Sequence, residues 1–192
     1  MAFLGGSSSD NGSNKISSAT IITSCMEVTG SFEGTDTIHV DGKVTGNISV
    51  NNTLVIGKSG LVVGDVRAKH AIINGELQGS IICEELEVMR SAKLSSEAQA
   101  QNIIIDGEVS GYIMAHKSIN ILENGKLKAN KVQSKNIKVH GAIDGTIVAT
   151  ELLRVGANGS VEGDISVKNI STAEGGRVSG TMSLYQADNN EE

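Results

Sequence analysis

The chain has 192 residues, 23 glycines, no proline and no tryptophan, and its formal net charge is −6. This acidic balance argues against nucleic-acid binding, which needs a clustered basic face, and against a purely electrostatic attachment to anionic lipid. With only two Phe and two Tyr, the predicted core must consist almost entirely of Ile, Val and Leu, which favour pleated sheets.

Cysteine content and hydropathy point to a cytoplasmic protein. Cys25 and Cys83 are too few for a disulfide framework, and the chain does not begin with a recognisable signal peptide. No apolar run approaches the roughly 20 residues that a membrane-spanning helix needs. We therefore expect reduced thiols and a cytoplasmic location, with at most a peripheral position on the inner face of the membrane.

The first segment of the chain, residues 1–19, is rich in Gly, Ser and Asn and is predicted to be a disordered tail. Its tip differs, because Met1, Phe3 and Leu4 are apolar. One interpretation makes these three residues a weak hydrophobic membrane-binding tip, which a polymer would multiply. The alternative gives the tip no role.

From position 41 onward, nine eight-residue motifs recur. Glycine holds the second place in eight of them and the sixth place in seven, and an apolar residue holds the fourth place in all nine. The motifs are DGKVTGNI, SGLVVGDV, NGELQGSI, SAKLSSEA, DGEVSGYI, NGKLKANK, HGAIDGTI, NGSVEGDI and GGRVSGTM. Their second places are 15 to 18 residues apart, a period that suits three short strands joined by tight corners, which is one coil of a β-helix.

The corner before each motif alternates in length. We count residues from the last inward residue of the preceding strand to the second place of the motif. The count is two from Val40 to Gly42 and four from Ile56 to Gly60, and this alternation continues to Gly159. Successive side chains of a strand point to opposite faces, so the fourth and eighth places of each motif point inward. The outward-pointing places are mostly polar. A single coil cannot offset its ordering entropy, so many coils must stack.

These patterns predict an all-β fold: one β-helix, or solenoid, of nine to ten coils over residues 20–185, about 45 Å long at the usual strand spacing. A short disordered tail is expected at residues 186–192. The motifs at 91–98 and 124–131 are degenerate, so local irregularity is predicted there.

The two ends of the rod are the predicted functional site. A terminal coil leaves unpaired N–H and C=O groups, and solenoids that stay monomeric carry polar caps. The sequence shows no such cap, and it places Phe32 in the first coil and Met182, Leu184 and Tyr185 in the last. We predict a polymer interface at these four residues. The alternative is that Phe32 and Tyr185 only cover the ends of their own core.

A search for catalytic, cofactor-binding or metal-binding residues finds none. Gly57, Lys58 and Ser59 are reminiscent of a phosphate-binding loop, but Asn52 stands where that motif needs its first glycine, and a strand follows instead of a helix. The four histidines do not converge, and Cys83 is predicted to fill the core. The alternative function is a hexapeptide-type β-helical acyltransferase, but the irregular period and scattered histidines disfavour it.

The run from IHVDGKVTGNI through LVIGKSGLVVGDV to the last motif resembles the bactofilin family, over residues 20–185. The resemblance implies a right-handed triangular β-helix and a bacterial cytoskeletal protein that forms non-polar filaments without nucleotide or other cofactor. It also implies a scaffold for cell shape or envelope growth, with partners that include further copies of the chain, the inner membrane face and cell-wall or other morphogenetic proteins. Met1, Phe3 and Leu4 resemble the membrane-binding sequence of that family.

Overall fold

The computed structural model describes residues 19–186, which form nineteen strands and no helix. All of their pairings are parallel, and strands one coil apart are hydrogen-bonded to each other. The first thirteen strands are short: β1 Ala19–Ile22, β2 Glu27–Thr29, β3 Phe32–Gly34, β4 Thr37–Val40, β5 Lys43–Thr45, β6 Ile48–Val50, β7 Thr53–Ile56, β8 Leu61–Val63, β9 Val66–Arg67, β10 His70–Ile73, β11 Glu76–Gln78, β12 Ile81–Ile82 and β13 Glu85–Val88. The last six are longer: β14 Lys93–Ile105, β15 Glu108–Ile121, β16 Lys126–Val139, β17 Ala142–Val155, β18 Ser160–Thr172 and β19 Arg177–Leu184.

The strands stack into ten coils with three faces, which confirms the predicted β-solenoid. The first face contains β1, β4, β7, β10 and β13, followed by residues 102–105, 118–121, 136–139, 152–155 and 169–172. The second face contains β2, β5, β8 and β11, followed by residues 93–95, 108–110, 126–128, 142–144, 160–162 and 177–179. The third face contains β3, β6, β9 and β12, followed by residues 98–100, 113–115, 132–134, 147–149, 165–167 and 182–184.

A single apolar core runs along the axis of the solenoid. Its residues alternate with exposed ones, as in β4, where Ile38 and Val40 are buried and Thr37 and His39 are not. Full burial of such a side chain stabilises the fold by about 1.5–3 kcal/mol. Because each coil also covers its neighbours, this burial is shared along the rod, and coils at the ends lose part of it.

The corner between the first and second faces alternates between a wide and a tight form, as predicted. Each wide corner has four residues and closes with a hydrogen bond within the turn, as from the N–H of Gly60 to the carbonyl of Gly57 at 2.8 Å. Each tight corner has only two residues, such as Asp41 and Gly42. The alternation ends at the tenth coil, where residues 173–176 form a second consecutive wide corner and the N–H of Gly176 donates to Ala173 at 3.0 Å.

A column of residues with positive φ forms the corner between the second and third faces. Seven of its glycines occupy the sixth place of the recurring motif, and Gly30 precedes them in the first coil. A Cβ on Gly46 or Gly64 would collide with the backbone carbonyl of the preceding coil. Glycine is needed here both for its φ and because the coils approach each other closely.

Ser96 occupies this column with a φ of 146°, the one non-glycine residue with positive φ in residues 19–186. A side chain rarely adopts this conformation, and its cost is of order 1–3 kcal/mol. Ser96→Gly is therefore expected to raise the unfolding temperature by a few degrees, which thermal denaturation followed by circular dichroism would measure. The control is Ser95→Gly, one residue earlier in the extended strand β14, which should lower it. Equal shifts for the two variants would contradict the strain at Ser96.

Candidate functional site: the two ends of the solenoid

The last coil, residues 169–186, presents an uncovered edge. Its inward-facing positions lie in register with buried core residues of the preceding coil, because Met182 pairs with Ile165 and Leu184 pairs with Val167. Val167 is 4% exposed, whereas Met182 is 50% exposed and Leu184 is 69% exposed. The difference arises because a further coil covers Val167 but none of the described residues covers Leu184.

The same uncovered edge continues around the other two faces of the last coil. Ile170, an inward position of the first face, is exposed, and Val178 of the second face is half-buried against the core. Sequence reasoning missed both residues. The motif does mark Val178, at its fourth place, but only the coil-to-coil register shows that this position belongs to the terminal apolar surface.

The first coil, residues 19–34, presents a more covered end. Phe32 is half-buried and packs against the core, as does Val28, while Ile22 is 3% exposed. The ring of Phe32 therefore covers part of its own core end and still leaves apolar surface at the edge. The two interpretations of Phe32 are compatible, because a residue can pack on its own core and remain accessible to a partner.

Tyr185 follows the last strand, and its backbone N–H donates to the carbonyl of Val167 at 3.0 Å. The residue is half-buried. Its backbone thus continues the ladder for one residue beyond β19, next to Leu184. The predicted residues Met182, Leu184 and Tyr185 lie together at one end of the rod, and Phe32 lies at the opposite end.

Both terminal coils keep one free ladder edge. Among residues 19–186, strand β1 pairs only with β4, and β19 pairs only with β18. A free strand edge carries a row of backbone donors and acceptors and is a template for pairing with another chain. Together with the exposed aliphatic side chains of the last coil, these edges form the candidate interface.

Charged side chains on the outer surface pair between neighbouring coils at several places. On the second face, Lys43 Nζ lies 2.6 Å from Glu27 Oε1 in the neighbouring coil. At the corner after this face, Asp65 accepts hydrogen bonds from the hydroxyl and the N–H of Ser80 at 2.6 and 3.2 Å. These bonds, first that from the hydroxyl, lower the pKa of the Asp65 carboxyl. Cross-strand pairs of this kind fix the register of adjacent coils.

Side chains of the types used in catalysis or metal binding do not form a cluster in the described part of the chain. Within residues 19–186 no three His, Cys, Asp or Glu residues are placed to hold a metal ion. His70 Nδ1 lies 3.0 Å from Glu85, and His39 Nε2 lies 3.0 Å from Asp41, both at the surface. Cys83 is buried, as predicted, and burial raises the pKa of its thiol to about 12. Gly57, Lys58 and Ser59 lie in a wide corner between β7 and β8.

Two sets of predicted residues lie outside the part of the chain that the structure describes. The tip with Met1, Phe3 and Leu4 lies outside residues 19–186, as does most of the predicted C-terminal tail. Strand β1 begins at Ala19, one residue before the predicted start of the solenoid. No helix of the described residues is long and apolar enough to cross a membrane.

Fold and site together define the protein as a parallel β-solenoid whose ends are uncapped in the described part of the chain. The family model for bactofilins, described as polymer-forming cytoskeletal, matches residues 20–106 and again residues 97–183. The chain belongs to the bactofilin family, whose role is structural and cytoskeletal. Because the model matches twice, this solenoid repeats the family pattern along its length.

One curated relative is Bactofilin BacP of Myxococcus xanthus (strain DK1622), which is 29% identical over 76 residues. That match covers 39% of this chain and 32% of the relative, so the matched region spans about a third of the relative's length. No solved structure matches the chain. The membership therefore depends on the recurring sequence pattern, and the ten-coil architecture agrees with it.

Proposed function

We propose that this bactofilin assembles end to end into filaments, without nucleotide, and that the filaments scaffold cell shape or envelope growth at the inner face of the cytoplasmic membrane. The proposal depends mainly on one observation in the last coil. Leu184 and Met182 lie in register with buried core residues of the preceding coil, yet both are exposed to solvent. A second copy placed on this edge would bury them and satisfy the free backbone groups.

Assembly without nucleotide is supported by the way in which this fold is stabilised. Burial of aliphatic side chains and ladder hydrogen bonds need no cofactor. The wide corner at residues 57–60 leads into strand β8, whereas a phosphate-binding loop places its phosphate at the start of a helix. Assembly should therefore depend on protein concentration alone.

Membrane attachment would come from Met1, Phe3 and Leu4. One short apolar tip binds a bilayer weakly, but a filament presents many tips side by side, and linked weak contacts add up to firm binding. The filament could then hold envelope or other morphogenetic proteins at the membrane. Which of these proteins it recruits depends on lateral surfaces and tails.

The test is negative-stain electron microscopy of the purified full-length chain, with and without added nucleotide, at physiological salt. Filaments of equal length in both conditions are the expected result, and monodisperse monomers at high concentration would refute the assembly. Liposome co-sedimentation of the full chain, against a variant lacking residues 1–18, tests the membrane part. Equal sedimentation of the two would exclude the tip as the attachment.

A further inference from the structure

The first face of the solenoid is complementary to itself, and we propose that two copies of this chain pair side by side through it, in antiparallel directions. The contact lies on the side of the rod, so it goes beyond the proposed end-to-end assembly and does not depend on it. It also needs no common direction of the copies within a filament, which agrees with the non-polar filaments that the family resemblance implies.

Charge is separated along this face. The second outward-pointing position of each strand lies in register with the same position of the next coil. From the fifth to the ninth coil, the residues at this position are Glu87, Ile104, Asn120, Lys138 and Arg154. The charged members of this row are all exposed. One end of the row is therefore acidic and the other basic, with two uncharged residues between them.

These charges are not balanced within one copy. Lys138 pairs in register with Arg154, and like charges directly opposite each other in a sheet are destabilising. In the part of the chain that the structure describes, neither of these cations forms an ion pair, and neither does Glu87. An acidic surface placed against the two cations, and a basic one against Glu87, would relieve both ends of the row.

The middle of the face is recessed and uncharged. A concavity of about 370 Å³ spans the fifth to eighth coils. Its lining includes four half-buried polar residues, Asn102, Ser118, Asn120 and Asn136. Ile104 lies among them and is 38% exposed. A charged group placed here would lose hydration without gaining an opposite charge, so the face suits a surface whose own centre is uncharged.

A second copy supplies such a surface when a two-fold axis crosses the face between the sixth and seventh coils. The fifth coil of one copy then lies opposite the eighth coil of the other. Glu87 lies opposite Lys138 of the second copy, and by symmetry this pair forms twice. Glu85 lies opposite Asn136 of the second copy, whose side-chain amide can donate to the carboxylate. The two Ile104 side chains meet near the axis.

Parallel pairing through the same face is unfavourable. A two-fold axis along the rod keeps each coil opposite its own equivalent and exchanges the two outward positions of each strand. Glu85 then lies opposite Glu87 of the second copy, so the acidic ends repel each other. Lys138 lies opposite Asn136 of the second copy and gains no acidic neighbour. Charge therefore selects the antiparallel arrangement.

The size of the face sets the strength of the pairing. The coils from the fourth to the ninth, at about 4.8 Å each, and strands of four residues, at about 3.3 Å each, give a footprint of about 380 Å² per copy. A standard interface covers about 800 Å² per partner, so single molecules should form only a weak dimer. Filaments repeat the face along their length and should pair firmly, because linked weak contacts add up.

The first experiment maps the contact with two cysteines, Glu85→Cys and Asn136→Cys, in the full-length chain. The background carries Cys25→Ser, while Cys83 stays because it is buried. In one copy the two new cysteines lie three coils apart, about 14 Å. A bismaleimide too short for that distance can join them only between copies, and a denaturing gel separates the products.

We expect cross-linked dimers from the double variant, whereas each single variant stays monomeric. Dimers from Glu85→Cys alone would show parallel pairing, and absence of dimers from every variant would leave the face to a different partner. Either result overturns the proposal. Dimers in a sample without filaments would uphold the side contact and refute the end-to-end assembly alone.

The second experiment exchanges charges and measures the dissociation constant of the dimer by analytical ultracentrifugation. The background is Leu184→Asp, which alters the exposed end of the last coil and leaves the first face intact. Glu87→Lys and Lys138→Glu each convert two attractive pairs into two repulsive ones, so each should raise the dissociation constant by about 10-fold.

The double variant E87K/K138E restores opposite charges at both places and should return to within about 2-fold of the parent. A tighter dimer from Glu87→Lys alone would show parallel pairing. Equal dissociation constants for the parent and all three variants would show that this face is not the contact, and both outcomes would overturn the proposal.

Discussion

Leu184→Asp is expected to abolish filaments while leaving the monomer folded. Leu184 is 69% exposed in the last coil, so the substitution removes little burial from the single molecule. In an end-to-end stack the same position would be buried like Val167, and burying an unpaired carboxylate costs several kcal/mol. Since 1.4 kcal/mol corresponds to a factor of ten, the critical concentration should rise by at least about 100-fold. Sedimentation and electron microscopy measure the assembly, and circular dichroism checks the fold.

The matched control is Met89→Asp. Met89 is also an exposed apolar residue, but it lies at a wide corner on the side of the rod, far from either end. Filaments of normal length are expected from this variant. Filaments from Leu184→Asp at the wild-type critical concentration would contradict the role of the last coil, and loss of filaments in both variants would point to lateral contacts instead.

The core of this fold could be predicted from sequence because inward side chains obey a strict period. Ile38, Leu77 and Val161 are each buried as the alternation requires. The length of the strands was harder to predict in the second half of the chain. There β14 to β18 each continue through a corner of the coil and reach 13 or 14 residues. Register shifts at Gly111 and Ala129 accompany the degenerate motif at 124–131, as predicted. The other degenerate motif, at 91–98, pairs with the next coil from Lys93 to Ala100 without a shift.

The candidate site was only partly predictable. Met182, Leu184 and Tyr185 could be named because they are large residues at the end of the repeat. Ile170 and Val178 could not, since their place at the uncovered edge depends on which residues of different coils lie above one another. That register becomes visible only through the paired strands. The second wide corner at residues 173–176 was missed for the same reason, because the alternation is a property of stacked neighbours.

Gly111→Ala is expected to destabilise the solenoid by about 3 kcal/mol, with unfolding or local opening around β14 and β15. Gly111 has a φ of +125°, and a Cβ there would collide with the carbonyl oxygen of Ser96. The φ alone costs about 1–3 kcal/mol, and the overlap forces two coils apart at a further cost of about 1–3 kcal/mol. Thermal unfolding should shift down by about 6–12 °C, and limited proteolysis should cleave near coils five and six.

Gly30→Ala separates these two causes, because Gly30 shares the positive φ but has no neighbour within 4 Å of the added methyl group. Both variants are measured in the Leu184→Asp background, so that polymer contacts do not add to the apparent stability. Gly30→Ala should then cost only the conformational part, about 1–3 kcal/mol. Equal losses at the two positions would mean that backbone conformation alone selects glycine in this column. A larger loss at Gly111 would show that close contact between coils sets the spacing of the rod, the same contact that an end-to-end junction has to reproduce.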